Sequence, residues 1–211
     1  MDVEDFQHYW RTTHAELALK AGGGQRYIQC TTLLSSYQKG VEPIWDGVAE
    51  TWYDSTRTVK EQAKLKSHAA LRVDEPNFID VSTMGWIYCR EHVIKDGTLP
   101  DESVKAMVFV RRRPEWDVDS FQKYWLEIHG PIGAALPGAL RYVQNHTWRS
   151  YYDTGKTPIF DGLAEVWFKD TQQLRDAANS LEQARNLEDA DKFLVVNQAA
   201  FIITRERVIV P

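Results

Sequence analysis

Cysteine is scarce in this chain: 211 residues hold two, Cys30 and Cys89. So few exclude a disulfide-built scaffold, and their spacing matches no metal-binding motif. The N-terminus shows no signal-peptide pattern, so both thiols are expected reduced in a cytoplasmic protein. No apolar run approaches the roughly 20 residues of a membrane-spanning helix. Positive charge is also short, with 25 Lys and Arg against 30 Asp and Glu, a net charge of −5. That balance argues against nucleic acid or an anionic membrane as partner. The run Gly22-Gly23-Gly24 is not a phosphate loop, because no strand precedes it and no Lys-Ser/Thr follows. No redox-cofactor motif is visible, and the expectation is no cofactor and no bound metal. What the chain has is apolar and aromatic: 43% hydrophobic and 12% aromatic residues, with eight tryptophans. These suffice for packed cores and leave some rings to line a ligand surface.

The sequence repeats itself. Phe6 aligns with Phe121 (121 − 6 = 115) and Ile94 with Ile209 (209 − 94 = 115), with no gap between. Along that offset Tyr9-Trp10 meets Tyr124-Trp125, His14 meets His129, Arg26-Tyr27 meets Arg141-Tyr142 and Asp46-Gly47 meets Asp161-Gly162. A period this long is a folded unit rather than a solenoid turn. The division by sequence is therefore repeat 1 over 1–96, a linker over 97–104 and repeat 2 over 105–211.

Repeat 2 reads as strand, helix, strand, strand, helix, strand. Met107–Arg112 is β-like, Asp117 is a plausible N-cap, and Phe121, Trp125, Ile128 and Ile132 form one helical face. Leu140–Trp148 and Ile159–Lys169 are strands, Thr171 to about Leu187 is helical, and the last strand lies within Gln198–Val210. The order βαββαβ is the ferredoxin-like unit, an α+β fold. Repeat 1 follows it without an opening strand, since Met1 aligns with Trp116 (116 − 115 = 1). That slot is predicted to be filled from outside the repeat, by a strand upstream of this start or from another segment, or to be visibly incomplete.

Three motifs in repeat 2 carry a resemblance: Trp-x-x-x-His-Gly-Pro at 125–131, Arg-Tyr-x-Gln-x-His at 141–146 and Asp-Gly-x-Ala-Glu-x-Trp at 161–167. Together they resemble the EthD family. The resemblance implies a dimeric α+β barrel formed within one chain, two ferredoxin-like sheets face to face with helices outside. It also implies small-molecule chemistry on aromatic or polyketide-like compounds. The wider superfamily includes cofactor-free monooxygenases, decarboxylases, cyclases, isomerases and haem enzymes, so fold alone does not choose a reaction. Repeat 1 departs from the pattern, with His14-Ala15-Glu16 for His-Gly-Pro and Thr31 in place of His146.

Strand alternation sorts the polar residues by face. Tyr142, Gln144 and His146 share one face of their strand, and Leu163, Glu165 and Trp167 share one of theirs. Both sets are expected to line one cavity, with His129 near its mouth. Tyr27, Glu50 and Trp52 take the same places in repeat 1. His146 occurs in one copy only and suits proton transfer near neutral pH. Glu165, between apolar neighbours, suits a general base or a salt bridge to an arginine. Tyr142 is expected to join them in catalysis or to serve as a buried structural tyrosine. Gln144, Leu163, Trp167, Glu50, Trp52 and Tyr27 are assigned to substrate binding. His129 reads equally as a helix-terminal histidine bonded locally.

These readings favour a cofactor-independent enzyme making or discharging an enolate, by decarboxylation, elimination or isomerisation of an aromatic or polyketide-like carbonyl compound. Lyase chemistry is preferred. The alternatives are a non-catalytic binder of hydrophobic metabolites and a cofactor-free monooxygenase. The partner is a small hydrophobic or aromatic substrate, and self-association into a homodimer is compatible with the fold.

Overall fold

Residues 1–22, 24–40 and 42–211 are described by the computed structural model. Gly23, the middle of the triple-glycine run, lies outside them. In chain order the elements are α1 (Val3–Tyr9), a π-helical turn (Trp10–His14), α2 (Ala15–Ala21), β1 (Arg26–Thr32), β2 (Gly47–Trp52), α3 (Thr56–Gln62), α4 (Lys66–Asp74) and β3 (Cys89–Lys95). They continue with β4 (Val104–Val110), α5 (Val118–Tyr124), a second π-helical turn (Trp125–His129), α6 (Gly130–Ala134), β5 (Arg141–Thr147) and α7 (Arg149–Tyr152). The last are β6 (Gly162–Phe168), α8 (Thr171–Ala178), α9 (Leu181–Ala190) and β7 (Ala200–Val210). The chain is α+β, and the repeat is structural: α1 and α5, the two π turns, β1 and β5, and β2 and β6 all begin 115 residues apart (118 − 3, 125 − 10, 141 − 26, 162 − 47). The caps repeat too. Asp2 accepts from the Asp5 backbone N–H at 2.8 Å and Asp117 from that of Ser120 at 2.9 Å, each satisfying an otherwise orphaned helix donor. Among the described residues, no helix is long and apolar enough to cross a membrane.

The chain forms two compact units, Met1–Gly85 with Thr204–Pro211, and Trp86–Ile203. These units exchange strands relative to the repeats. The last strand of repeat 1, β3, pairs antiparallel with β5 in the second unit, Arg90 opposite His146 and Val93 opposite Val143. The end of β7, from repeat 2, pairs antiparallel with β1 in the first unit, Cys30 opposite Glu206.

Within the second unit the strand order is β7-β4-β6-β5-β3, the ferredoxin-like order with β3 added at its edge. Within the first it is β2-β1-β7. The outer edge of β2 has no strand partner among the described residues, so the opening-strand slot of repeat 1 is incomplete there. The consequence shows in burial. β6, held between β4 and β5, is buried at nearly every position, whereas β2 is half-buried or exposed throughout. The second core gathers Val110, Phe121, Trp125, Ala190, Phe193 and Leu194. Gly162 is required by this packing, because a Cβ there would come within 2.5 Å of the Trp125 ring. Gly47 stands in the same relation to Trp10, also at 2.5 Å.

Candidate functional site

The register between β5 and β6 decides which side chains meet. Arg141 pairs with Trp167, Val143 with Glu165 and Asn145 with Leu163. Residues directly opposite in an antiparallel pair point the same way. Glu165, Leu163 and Trp167 therefore share a face with Arg141, Val143 and Asn145. Tyr142, Gln144 and His146 lie on the other face, over Val166, Ala164 and Gly162. The single cavity expected to join Tyr142, Gln144 and His146 to Leu163, Glu165 and Trp167 does not exist. Alternation fixes the phase within a strand, but only register fixes it between strands.

Tyr142, Gln144 and His146 face the helices. The His146 ring stacks on Trp125, with centroids 4.4 Å apart and planes within 2°. Gln144 Nε2 donates to the Trp125 carbonyl at 2.9 Å and to Tyr142 Oη at 2.8 Å, and Gln144 Oε1 accepts from His146 Nε2 at 2.9 Å. Burial, helped by His92, pushes the His146 pKa down to about 3, so the ring is neutral. Burial raises the Tyr142 hydroxyl to about 12. His146 lines a cavity of about 580 Å³ in the second unit, together with Arg90, His92, Lys123, Leu126 and Trp148. The His92 ring lies 4.6 Å from that of His146. Each repeat contributes to this wall, the helix from repeat 2 and β3 from repeat 1. The related groove in the first unit, between Arg11, Leu19 and Arg207, measures about 310 Å³.

On the opposite face, Glu165 is bound by a lysine. Lys105 Nζ stands 2.6 Å from Glu165 Oε1, with side-chain exposures of 1% and 2%. Asn145 Nδ2 donates to Glu165 Oε2 at 2.7 Å. The Lys105 ammonium lies 4.6 Å from the Trp167 ring centroid and the Arg141 guanidinium 5.7 Å from it, both cation–π contacts. Leu163 is buried beside them. The salt-bridge alternative for Glu165 thus holds, with Lys105 rather than an arginine as partner. Cys89, across from Thr147 on this face, has its thiol raised to about 12 by burial.

His129 is not at the cavity mouth. It is buried in the helix layer, where Nδ1 donates to Asp189 Oδ2 at 2.9 Å and the ring packs edge-on against Phe193. Tyr124 Oη also donates to Asp189, at 2.8 Å. The first unit repeats the set: His14 with Asp74 at 2.8 Å and Tyr9 Oη with Asp74 at 2.6 Å. A device present in both copies ties the first helix of each repeat to its last, and it is structural.

In the first unit Gln29 Nε2 donates to the Trp10 carbonyl at 2.9 Å and to Tyr27 Oη at 3.0 Å, matching Gln144 bond for bond. With Thr31 in place of the histidine, Gln29 Oε1 is buried without a hydrogen-bond partner among the described residues. Tyr27 is therefore a core tyrosine beneath the helices. Glu50 and Trp52 lie on the other face, Glu50 accepting from the Cys30 thiol at 3.1 Å and Trp52 under Arg26 at 4.7 Å. The Cys30, Glu50 and Glu206 donor atoms come within 4.8 Å of one another. Replacing Thr31 by His should supply the missing donor between Trp10 and Gln29. The expected result is a higher urea midpoint, worth about 1 kcal/mol; a lower midpoint would mean that the first unit has no room for the ring.

The residues that sequence reasoning missed have separate causes. Asp74 and Asp189 were findable, since they lie 115 apart (189 − 74) as do their histidines. Lys105 stands on an opening strand that repeat 1 lacks. Arg90 and His92 enter the cavity only through strand exchange.

The EthD domain matches residues 1–82 and 113–196. A protein of Lactobacillus acidophilus, provisionally named a monooxygenase, is similar over 99% of this chain and 90% of its own, with a TM-score of 0.54 at 12% identity. A protein of Fusobacterium nucleatum with the same provisional name is similar over 95% of this chain and 86% of its own, with a TM-score of 0.52 at 10% identity. An EthD family protein of Bacillus halodurans covers 48% of this chain and 95% of its own, at 23% identity and a TM-score of 0.40. No curated protein sequence matches significantly.

Proposed function

The chain belongs to the EthD family, and from that premise we propose that it is an enzyme moving a proton on a small aromatic or polyketide-like carbonyl compound in the second unit's cavity. One observation carries the reading: a buried histidine on the wall of the larger of the two cavities described, present in one repeat and absent from the other. Neutral His146 accepts the proton from carbon next to the carbonyl, and the C–H electrons pass to the carbonyl oxygen as an enolate. Burial holds the His146 pKa low. An enolate beside it supplies the opposite charge that favours the imidazolium. Arg90 and Lys123 on the same wall offer positive charge to the enolate oxygen. Returning the proton to another atom is isomerisation, and expelling a leaving group from the neighbouring carbon is elimination; in decarboxylation the breaking C–C bond supplies the enolate electrons as carbon dioxide leaves, and the enolate carbon then takes a proton from solvent. Glu165, on the opposite face, has no part in this step.

The test is deuterium incorporation next to the carbonyl of 1-tetralone in D2O, followed by NMR. Wild-type protein should exceed the buffer rate and His146→Ala should fall back to it. Wild-type exchange at the buffer rate would sink the reading and favour a non-catalytic binder. Two similar structures carry the provisional name of monooxygenase, and an enolate is the electron-rich form that reacts with dioxygen. Oxygen uptake dependent on the ketone would assign oxygenation as the second half of the reaction.

A further inference from the structure

We infer that Gln144 locks His146 as the Nε2–H tautomer, and that the bare Nδ1 is the nitrogen that takes a ligand's hydrogen, the acidic C–H of the proposed reaction or the O–H of a hydroxyl compound. The argument runs through a chain of hydrogen bonds. The helix widens to a π turn at Trp125–His129, and the Trp125 carbonyl accepts a side-chain donor. A carbonyl can only accept, so the group of Gln144 facing it is the NH₂. The same nitrogen also reaches Tyr142 Oη. That orientation turns Gln144 Oε1, an obligate acceptor, toward His146 Nε2 at 2.9 Å. A neutral imidazole has one N–H, and here it is spent on Gln144. Nδ1 therefore carries a lone pair, and the ligand atom that meets it must be a donor.

Repeat 1 supplies the control. It keeps the π turn, the glutamine and the tyrosine, with the same two donated bonds. Lacking the histidine, it leaves Gln29 Oε1 buried and without a hydrogen-bond partner among the described residues. The glutamine orientation is thus set by the helix, independently of the histidine, and in the second unit His146 is fitted to it. Gln144, fully buried and outside the cavity lining, is a positioning residue that decides which nitrogen of His146 meets a ligand.

This inference rests on the same cavity as the proposed reaction but not on the reaction. Histidine-selective ¹⁵N NMR of the wild-type protein should show a pyrrole-type Nε2 and a pyridine-type Nδ1 for His146. Phenol should shift the Nδ1 resonance and bind about tenfold more tightly than anisole, whose oxygen has no proton to donate, that ratio matching one ordinary hydrogen bond. Gln144→Leu should give a mixture of tautomers with weakened phenol selectivity. An Nδ1–H tautomer in the wild type would overturn the inference without any variant. So would equal Nδ1 shifts with phenol and anisole, or an unchanged single tautomer in folded Gln144→Leu. The expected tautomer without deuterium exchange would sink the reaction alone, and exchange with the wrong tautomer would sink this inference alone.

Discussion

Replacing Lys105 by methionine is expected to destabilise the second unit by about 3–5 kcal/mol, because it breaks a buried ion pair by removing one partner only. Lys105 and Glu165 are 1% and 2% exposed and 2.6 Å apart. Methionine fills much of the lysine stem's volume, so lost packing contributes little. What the substitution removes is the ammonium on one carboxylate oxygen, while the Asn145 amide stays on the other. Removing both charges in Lys105→Met/Glu165→Leu should recover most of that loss, since neither group is then left desolvated alone. Urea unfolding of the two single variants and the double variant forms the cycle that isolates the pair. A Lys105→Met cost below about 1 kcal/mol would place the pair in the class of solvent-screened ion pairs.

The same pair shows where the sequence could be read and where it could not. Glu165 between apolar neighbours on a strand signalled a buried carboxylate, and it is one. Its partner was invisible because β4 and β6 are far apart in sequence, and Lys105 meets Trp167 only through their register. The repeat, the ferredoxin-like order and the core aromatics Phe121 and Trp125 were legible, because they depend on periodicity and on an offset visible in the letters. The cavity was half legible. His146 stood out as the residue one copy lacks, but the wall facing it comes from β3, the end of the other repeat. Strand exchange leaves no local trace, since β3 has the same alternation whichever sheet receives it. His129 misled for a different reason: its recurrence as His14 was itself the sign of a structural role, and the matching Asp74 and Asp189 complete it.

Removing that carboxylate gives the second large effect: Asp189→Ala should cost about 3 kcal/mol, because it unpairs a buried histidine and a half-buried tyrosine at once and takes an acceptor from the exposed Lys192. His129 Nδ1 at 2.9 Å, Tyr124 Oη at 2.8 Å and Lys192 Nζ at 3.0 Å all converge on Asp189. His129 is 6% exposed and cannot turn to water. Asp189→Asn keeps the shape and one acceptor oxygen, so it should cost less. The dependence on pH has a definite sign. Burial pushes the Asp189 carboxyl up, but hydrogen bonds from His129, Lys192 and Tyr124 outweigh it and hold the group below its ordinary 3.8. Burial holds His129 below its ordinary 6.5, against the pull of Asp189. Both groups therefore bind protons more readily in the unfolded chain, and stability must fall as pH drops. The histidine's share is lost from 6.5 downward, and the carboxylate's share from 3.8 downward. Urea midpoints from about pH 7 to about pH 3 should fall for the wild type and fall less steeply at the acid end for Asp189→Asn. Parallel curves for the two proteins would remove Asp189 from the acid response. An Asp189→Ala cost below about 1 kcal/mol would show that water replaces the carboxylate at no penalty, and His129 would then be free for another role.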